Sequence, residues 1–260
     1  MKNKIKRIGA ISSLVGMLGT GAASAQDGWK AFIEYFHGLG NNVDINKTTF
    51  DNSPTQKHNL SPNFRGISLG MEKEDISIPL WDGKKLKFDG GIGFVHGQAS
   101  DKTTLDSYGT AGMSGQFTSR INSELNGIEA YFIPWKKSFG KLNLRAKLSG
   151  LWAKAESTLT GSGSVSGGGF SAEGTESASA EGNIVYLGVG LGANYNIGNW
   201  EIYGSAEIGS GNTISYNGAN TSTTLNWPGG SMNLEGEVGD VDGDVAFDNI
   251  RATIGARYRF

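Results

Sequence analysis

The sequence predicts an all-β chain folded as a transmembrane antiparallel up-and-down β-barrel of about eight strands, with short periplasmic turns and long external loops. Three observations carry this. The last stretch, Ile250 to Phe260, places Ile250, Ala252, Ile254, Ala256, Tyr258 and Phe260 on one face of a strand. Arg251, Thr253, Gly255, Arg257 and Arg259 take the other, because side chains alternate along a strand. Seven further segments alternate in the same way, and the connections between them run long, short, long, short, long, short, long. Finally, only 37% of the chain is hydrophobic, too little for helical spans but fitting for strands with one polar face. No later stretch is apolar enough for a helix to cross, so insertion must be by strands.

The chain has 260 residues, 41 of them glycine and only 5 proline, suiting many strands joined by turns. It has no cysteine, which excludes thiolate metal sites, disulfides and a cysteine nucleophile. Residues 1–25 read as a cleaved signal peptide. Lys2, Lys4, Lys6 and Arg7 precede an apolar run, and Ala23-Ser24-Ala25 forms an A-x-A cleavage site. Residues 26–260 then form the barrel domain. Without the four basic residues of the leader, 19 Lys and Arg stand against 25 Asp and Glu, a net charge of −6. That balance argues against a nucleic-acid partner.

The first strand, Trp29 to His37, sends Trp29, Ala31, Ile33 and Tyr35 outward and Lys30, Phe32, Glu34 and Phe36 inward. Residues 38–61 form a polar loop. Over 62–81 the apolar parity changes from Ile67, Leu69 and Met71 to Ile76, Ile78 and Leu80, which requires a bulge near Glu72–Asp75. The third strand, about Leu86 to His96, opposes Leu86, Phe88, Ile92 and Phe94 to Lys87, Asp89, Gly91 and Gly93. Residues 98–121 are a second loop. The fourth strand, 122–134, faces Ile128, Ala130, Phe132 and Pro134 outward and Glu129 and Tyr131 inward. After a turn over Trp135–Lys141, the fifth sets Leu142, Leu144, Ala146, Leu148 and Trp152 against Asn143, Arg145, Lys147 and Ser149. Residues 156–182, nearly all Gly, Ser, Thr, Ala and Glu, read as a flexible low-complexity loop. The sixth strand runs Val185, Leu187, Val189, Leu191, Ala193 and Tyr195 outward. The seventh opposes Trp200, Ile202, Ala206 and Ile208 to Glu201, Tyr203, Ser205 and Glu207. Residues 210–246 are the longest loop.

Aromatic residues gather at strand ends (Trp29, Trp81, Trp135, Tyr195, Trp200, Tyr258, Phe260), as an interfacial girdle requires. The chain thus resembles the small OmpA/OmpX-type bacterial outer-membrane barrels over nearly all of residues 26–260. The resemblance implies that Tyr258 and Phe260 form a C-terminal signal for the outer-membrane assembly machinery. It further implies an outer-membrane location with both termini periplasmic.

The inward faces gather Lys30, Glu34, Lys87, Asp89, Glu129, Arg145, Lys147, Glu201, Glu207, Arg251, Arg257 and Arg259. An eight-stranded lumen is barely wide enough for side chains, so these charges are expected to pair into a plug. Glu34, Glu129, Arg145, Lys147 and Arg257 form its middle; a narrow water-filled pore is the alternative. His96 is the candidate for an interfacial enzyme, but lipid A deacylase barrels place a Ser two residues beyond such a His, and here Gln98 stands there. Asp240, Asp242, Asp244 and Asp248 resemble a calcium-loop spacing, although the glycine and distal glutamate of an EF-hand are misplaced. Phe50, Tyr108, Phe117, Phe170, Tyr216 and Trp227 stand out in polar external loops, where each is expected to pack loop against loop or, as the alternative, to anchor a contact with a partner. The expected function is non-catalytic and needs no cofactor: a structural or surface-interaction, adhesion-type role through the external loops. The alternatives are a small-solute or ion pore and a lipid-modifying enzyme. The expected partners are outer-membrane lipids and lipopolysaccharide, the assembly machinery, and an extracellular protein or surface ligand.

Overall fold

Fourteen strands account for most of the computed structural model, which describes residues 28–39, 43–47, 56–60, 63–80, 83–108, 114–216, 219–238, 241–245 and 249–260. They are β1 (Trp29–Leu39), β2 (Val43–Lys47), β3 (Gln56–Leu60), β4 (Phe64–Pro79), β5 (Lys85–Tyr108), β6 (Ser114–Phe139) and β7 (Leu142–Gly167). Then follow β8 (Phe170–Ile197), β9 (Trp200–Gly211), β10 (Ile214–Ser215), β11 (Ala219–Trp227), β12 (Gly230–Val238), β13 (Val241–Val245) and β14 (Asn249–Arg259). Eight of them close a ring in the order β1, β4, β5, β6, β7, β8, β9, β14, every neighbour antiparallel. The seam joins the first and last strands, with Lys30 opposite Arg259 and His37 opposite Ala252. Closure removes the sheet edges that lipid cannot solvate. The expected leader, residues 1–25, lies outside the described residues.

At one end of the barrel the connections are tight. Gly140 and Gly198 hold φ values of 66° and 63° in two-residue turns, a conformation that glycine adopts without strain. The parity change foreseen around Glu72–Asp75 is a bulge between Lys73 and Ile76. There Asp75 adopts φ 52°, and its amide donates to Asp89 Oδ1 at 3.0 Å. A second irregularity falls between Phe132 and Trp135, around Pro134, which has no amide to give the ladder.

At the other end the segments expected to be loops are paired strands. β5, β6, β7 and β8 continue far beyond the ring as one sheet, to which the β11–β12 hairpin adds along β8. The stretch 156–182, expected to be flexible, is a continuous hairpin with register from Glu156↔Glu181 to Gly167↔Phe170. It turns at Gly168–Gly169. Much of 98–121 is likewise ladder between β5 and β6. A second sheet, ordered β10-β13-β2-β3, is built from the connections expected over 38–61 and 210–246.

These extensions keep their parity but exchange the chemistry of their faces. On β7, Leu142, Leu144, Leu148 and Trp152 point outward, the last 60% exposed, and so do Lys154, Glu156, Thr158 and Thr160 above them. Inward, Asn143, Arg145, Lys147 and Ser149 give way to Leu151, Ala153, Ala155 and Leu159. β8 repeats the switch: Leu187 and Leu191 are 67% and 69% exposed, whereas Ile184, Ala180 and Ala178 beyond them are buried. Below the switch the wall is apolar outside and polar inside; above it the reverse holds. The apolar run Leu142–Trp152 covers about 33 Å along the strand, or about 25 Å along the axis at a tilt of about 40°. That is the height of a bilayer's hydrocarbon layer as barrels meet it.

The interior is therefore not charged throughout, as the alternation of the lower strands suggested. Its upper half is an apolar core of Phe36, Leu60, Phe64, Val95, Ile121, Leu125, Leu151, Leu159 and Ile184, closed over by Ile214 and Tyr216. Tyr216 shares a 2.5 Å hydrogen bond with Ser157, which meets Ser123 at 2.6 Å. Burial pushes the Tyr216 phenol up to about 12, against a smaller opposing pull from the Ser157 bond.

Because the natural chain lacks cysteine, single labels can be placed along β7. Spin labels at 144, 148 and 152 will collide preferentially with oxygen and those at 156, 158 and 160 with a water-soluble nickel complex. An aqueous profile at 148 and 152 would refute the membrane band.

Candidate functional site: the barrel interior and its outer rim

Among the described residues eleven Lys, Arg, Asp and Glu side chains are buried, and ten of them cluster in the lower half of the lumen: Lys30, Arg145, Lys147, Arg251 and Arg257 against Glu34, Glu72, Glu129, Glu201 and Glu207, with Asp89 apart from them. Five cations thus face five carboxylates. Each comes from an inward position of a lower strand, so the ladder itself sets their mutual spacing.

They form two layers. In the lower, Glu201 accepts from Lys30 at 2.7 Å, from Arg145 at 2.9 Å and from Arg257 at 2.5 Å. Glu72 meets Arg257 Nε at 3.0 Å and Arg145 at 3.4 Å and accepts from the Tyr131 hydroxyl at 2.8 Å. In the upper, Glu129 is held by Lys147 and by Arg251, both at 2.7 Å, and Lys147 lies 3.7 Å from Glu207. Between the layers the Tyr203 hydroxyl donates to Glu34, while the Arg257 guanidinium lies 3.5 Å from the Tyr203 ring centre. Arg251 in turn lies over Phe36, at 4.8 Å, where the charged layer meets the apolar core. Taking a charge out of water costs several kcal/mol, recovered only when partners surround it.

The rings fit because glycines face them. A Cβ on Gly255 would stand 2.8 Å from Tyr203 Cζ, and one on Gly91 would stand 2.5 Å from Tyr131 Cζ. A void of about 20 Å³ remains among Glu34, Arg145, Lys147, Tyr203 and Arg257, room for about one water molecule.

All eight expected network residues, Glu34, Glu129, Arg145, Lys147, Glu201, Glu207, Arg251 and Arg257, are thus placed in one cluster. Lys87 and Arg259 are not. Lys87 lies opposite Ser77 on the hairpin that continues below the ring, where no interior exists. Arg259 is at the rim, its side chain 52% exposed, bonded to Glu74 at 2.7 Å. Asp89, also expected inward, is buried beside Lys136 at 3.1 Å. Sequence reasoning missed Glu72, which is fully buried at the centre of the lower layer. Its parity gave the signal: Gly66, Ser68, Gly70 and Glu72 continue one face opposite Ile67, Leu69 and Met71.

The other candidates are dispersed. Asp240 and Asp248 lie outside the described residues. Asp242 and Asp244 stand on strand β13, opposite Asn46 and Asp44, rather than in a loop. Phe50 also lies outside, and Tyr108 and Phe117 are placed only as strand residues. Phe170 and Trp227 stand exposed at the hairpin tips, whereas Tyr216 is buried. His96 is bonded through Nδ1 to Asn126 at 2.8 Å. At the rim, Tyr258 packs against Trp200 in a tilted pair and against Phe260 edge to face, at 4.9 Å and 5.6 Å between ring centres.

A closed antiparallel barrel with an apolar outer band, an aromatic rim and an ion-paired interior is a transmembrane β-barrel of the bacterial outer-membrane kind. No protein-family model matches the chain, and no curated protein matches it in sequence. Among solved structures it is similar to a major outer membrane protein from Thermus thermophilus, at 15% identity and TM-score 0.35, over 89% of this chain and 99% of that one. It is similar to the outer membrane protein OprG from Pseudomonas aeruginosa, at 13% identity and TM-score 0.36, over 90% and 96%. It is similar also to Ail, the attachment invasion locus protein of Yersinia pestis, in complex with the heparin analogue sucrose octasulfate. That match has 14% identity and TM-score 0.25, over 90% and 100%. The class of the chain rests on its own strand pairings and wall chemistry.

Replacing Glu72 with Ala leaves Lys30, Arg145 and Arg257 short of one carboxylate. Urea unfolding in lipid vesicles should show a loss of about 3–5 kcal/mol. The double replacement Glu72→Leu with Arg257→Leu should cost less than the two single changes together.

Proposed function

We propose that the protein is a non-catalytic, non-conducting outer-membrane barrel that presents a stiff β-structured device for surface interaction. The stacked interior carries this reading: an ion-paired layer and an apolar core follow one another along the axis, and buried ion pairs cross the polar part beside a void of about 20 Å³. A solute would have to break several buried ion pairs and then cross an apolar plug. In this reading residues 1–25 direct export, the short-turn end and both termini face the periplasm, and the extended sheet stands outside the cell. Tyr258 and Phe260 are then read by the assembly machinery. A lipid-modifying reaction finds no support at His96, whose ring nitrogen meets an amide rather than a nucleophile or acid.

The contact surface is the far end of the sheet. Residues 157–172 and 219–234 contain no charged side chain. Val165, Phe170, Trp227 and Met232 are nevertheless exposed there, on adjoining strands that pair Val165 with Ala172, Ala172 with Leu225 and Leu225 with Met232. Exposed aromatic and sulfur-bearing side chains on a rigid platform, with Glu173 and Glu176 of β8 as its nearest charges, favour binding of a largely apolar partner surface.

Cells displaying the Phe170→Ser, Trp227→Ser double variant should bind their target surface about thirtyfold more weakly, as loss of a binding hot spot implies. The purified variant should keep the heat-modifiable mobility of a folded barrel. Stable unitary currents from the unaltered protein in planar bilayers, changed by Arg145→Ala or Glu129→Ala, would establish the pore instead.

A further inference from the structure

A second concave surface lies on the outer wall, just above the apolar band and far from the tip. There β4 begins at Phe64 while β5, β6 and β7 continue upward, and the step leaves a cavity of about 740 Å³. Among its lining residues are Arg65, Gln98, Ser100, Asn122, Glu124 and Thr158, with Glu156 beside them. The antiparallel register fixes the layout. The row Phe94, Ile128, Trp152 and Val185 is apolar, and the row above it is His96, Asn126, Lys154 and Asn183. Next come Arg65, Gln98, Glu124, Glu156 and Glu181, then Ser100, Asn122, Thr158 and Ser179. The cavity floor thus begins two rows of side chains above the last apolar row, at the height of the outer-leaflet headgroups.

The charges in that row are costly for the fold. Glu124, Glu156 and Glu181 stand directly opposite one another on three consecutive strands, an arrangement that destabilises a sheet. Lys154 relieves part of it, at 3.1 Å from Glu156 and 2.6 Å from Glu181, and the Asn126 amide donates to Glu124 at 2.9 Å. Two rows above Glu124, Lys102 and Arg120 are also directly opposite, so like charges meet there as well.

We propose that this cavity seats the sugar headgroup of an outer-leaflet glycolipid whose acyl chains lie down the Phe94–Ile128–Trp152 face. Vicinal hydroxyls donate to the Glu124 and Glu156 carboxylates and accept from Arg65. Gln98, Ser100, Asn122 and Thr158 serve as both donors and acceptors. The carboxylates disfavour a simple anionic phospholipid, whose phosphodiester they would repel, whereas a saccharide satisfies them with neutral donors. A phosphate further out on the sugar would meet Lys102 and Arg120. The cavity volume falls in the range of small-ligand sites, about 300–1,000 Å³.

The inference rests on the membrane position of the apolar band and on the orientation proposed above, with the short-turn end in the periplasm, and not on the tip surface. The spin-label profile along β7 tests that position separately, so failure of the site and failure of the membrane reading are distinguishable. The test is binding of rough-type lipopolysaccharide, of its delipidated core oligosaccharide and of phosphatidylglycerol to the detergent-solubilised full chain, read by native mass spectrometry. Lipopolysaccharide should bind about tenfold more tightly than either of the others. Arg65→Gln, which removes the cation, and Asn122→Trp, which fills the cavity, should each remove most of that preference while the barrel stays heat-modifiable. Equal binding of phosphatidylglycerol would overturn the sugar assignment, and equal binding of the free oligosaccharide would overturn the acyl contact. Unchanged binding in the folded variants would overturn the site.

Discussion

A β-strand has two faces and a period of two, and almost everything in this protein follows from holding that period across a change of solvent. Below the switch the surroundings are hydrocarbon, so apolar residues must point out and polar ones in. Above it they are water, and the same strands must bury the residues they would otherwise expose. A register slip would achieve the exchange but would break the ladder. The chain instead keeps its register and exchanges the residues, between Ser149 and Lys154 on β7 and between Asn183 and Val185 on β8. One uninterrupted sheet can therefore belong to a membrane protein at one end and to a water-soluble one at the other.

The interior is constrained by the same geometry. An eight-stranded ring encloses a space that side chains can fill, and the polar faces of eight strands meet inside it. Charges placed there have no bulk water to turn to, which is why the cations and carboxylates balance and why Glu201 serves three cations at once. Aromatic side chains complete the filling where glycine faces them: Phe32 above Gly93, Tyr131 beside Gly91, Tyr203 beside Gly255. The glycines thus exchange local strand propensity for a packed lumen. Such a network is a poor source of net stability but a strong selector of register, since a strand shifted by two residues would strand several charges.

How far the fold could be read beforehand depended on which signal carried each element. The eight lower strands were legible because Ile, Leu, Val and Trp alternate with charge, as in Leu142–Trp152 and Val185–Tyr195. The upper strands were not, since Ser, Thr, Gly and Ala look like loop composition. Yet Leu159, Ala178 and Ala180 keep the inward parity of the strands below and are buried against the core. Their inward set is small and apolar rather than charged, so the alternation of outward grease and inward charge does not mark them. Glu72 was lost because it stands beside Lys73, Glu74 and Asp75 and reads as part of a polar break. Lys87 and Arg259 failed for the opposite reason. Their parity was right, but one lies below the closed ring and the other on its rim, and parity says nothing of where a barrel ends.

The stiffness of the upper sheet changes what a surface contact would require. A flexible Gly/Ser loop must lose conformational freedom on binding, at roughly 1–2 kcal/mol for each backbone residue fixed. Here the hairpins are already paired along their length, from Glu156↔Glu181 to Gly167↔Phe170 and from Trp227↔Gly230 to Ala219↔Val238. Phe170 and Trp227 are held by turns in which Gly168, Gly169 and Gly229 adopt positive φ, so folding has already met the ordering cost. A few exposed side chains on such a platform can bind usefully with a small contact area, because little of their interaction energy goes into ordering the chain. The same argument explains why the apolar core continues upward under β10 and Tyr216: without that support the hairpins would be an open, marginal sheet.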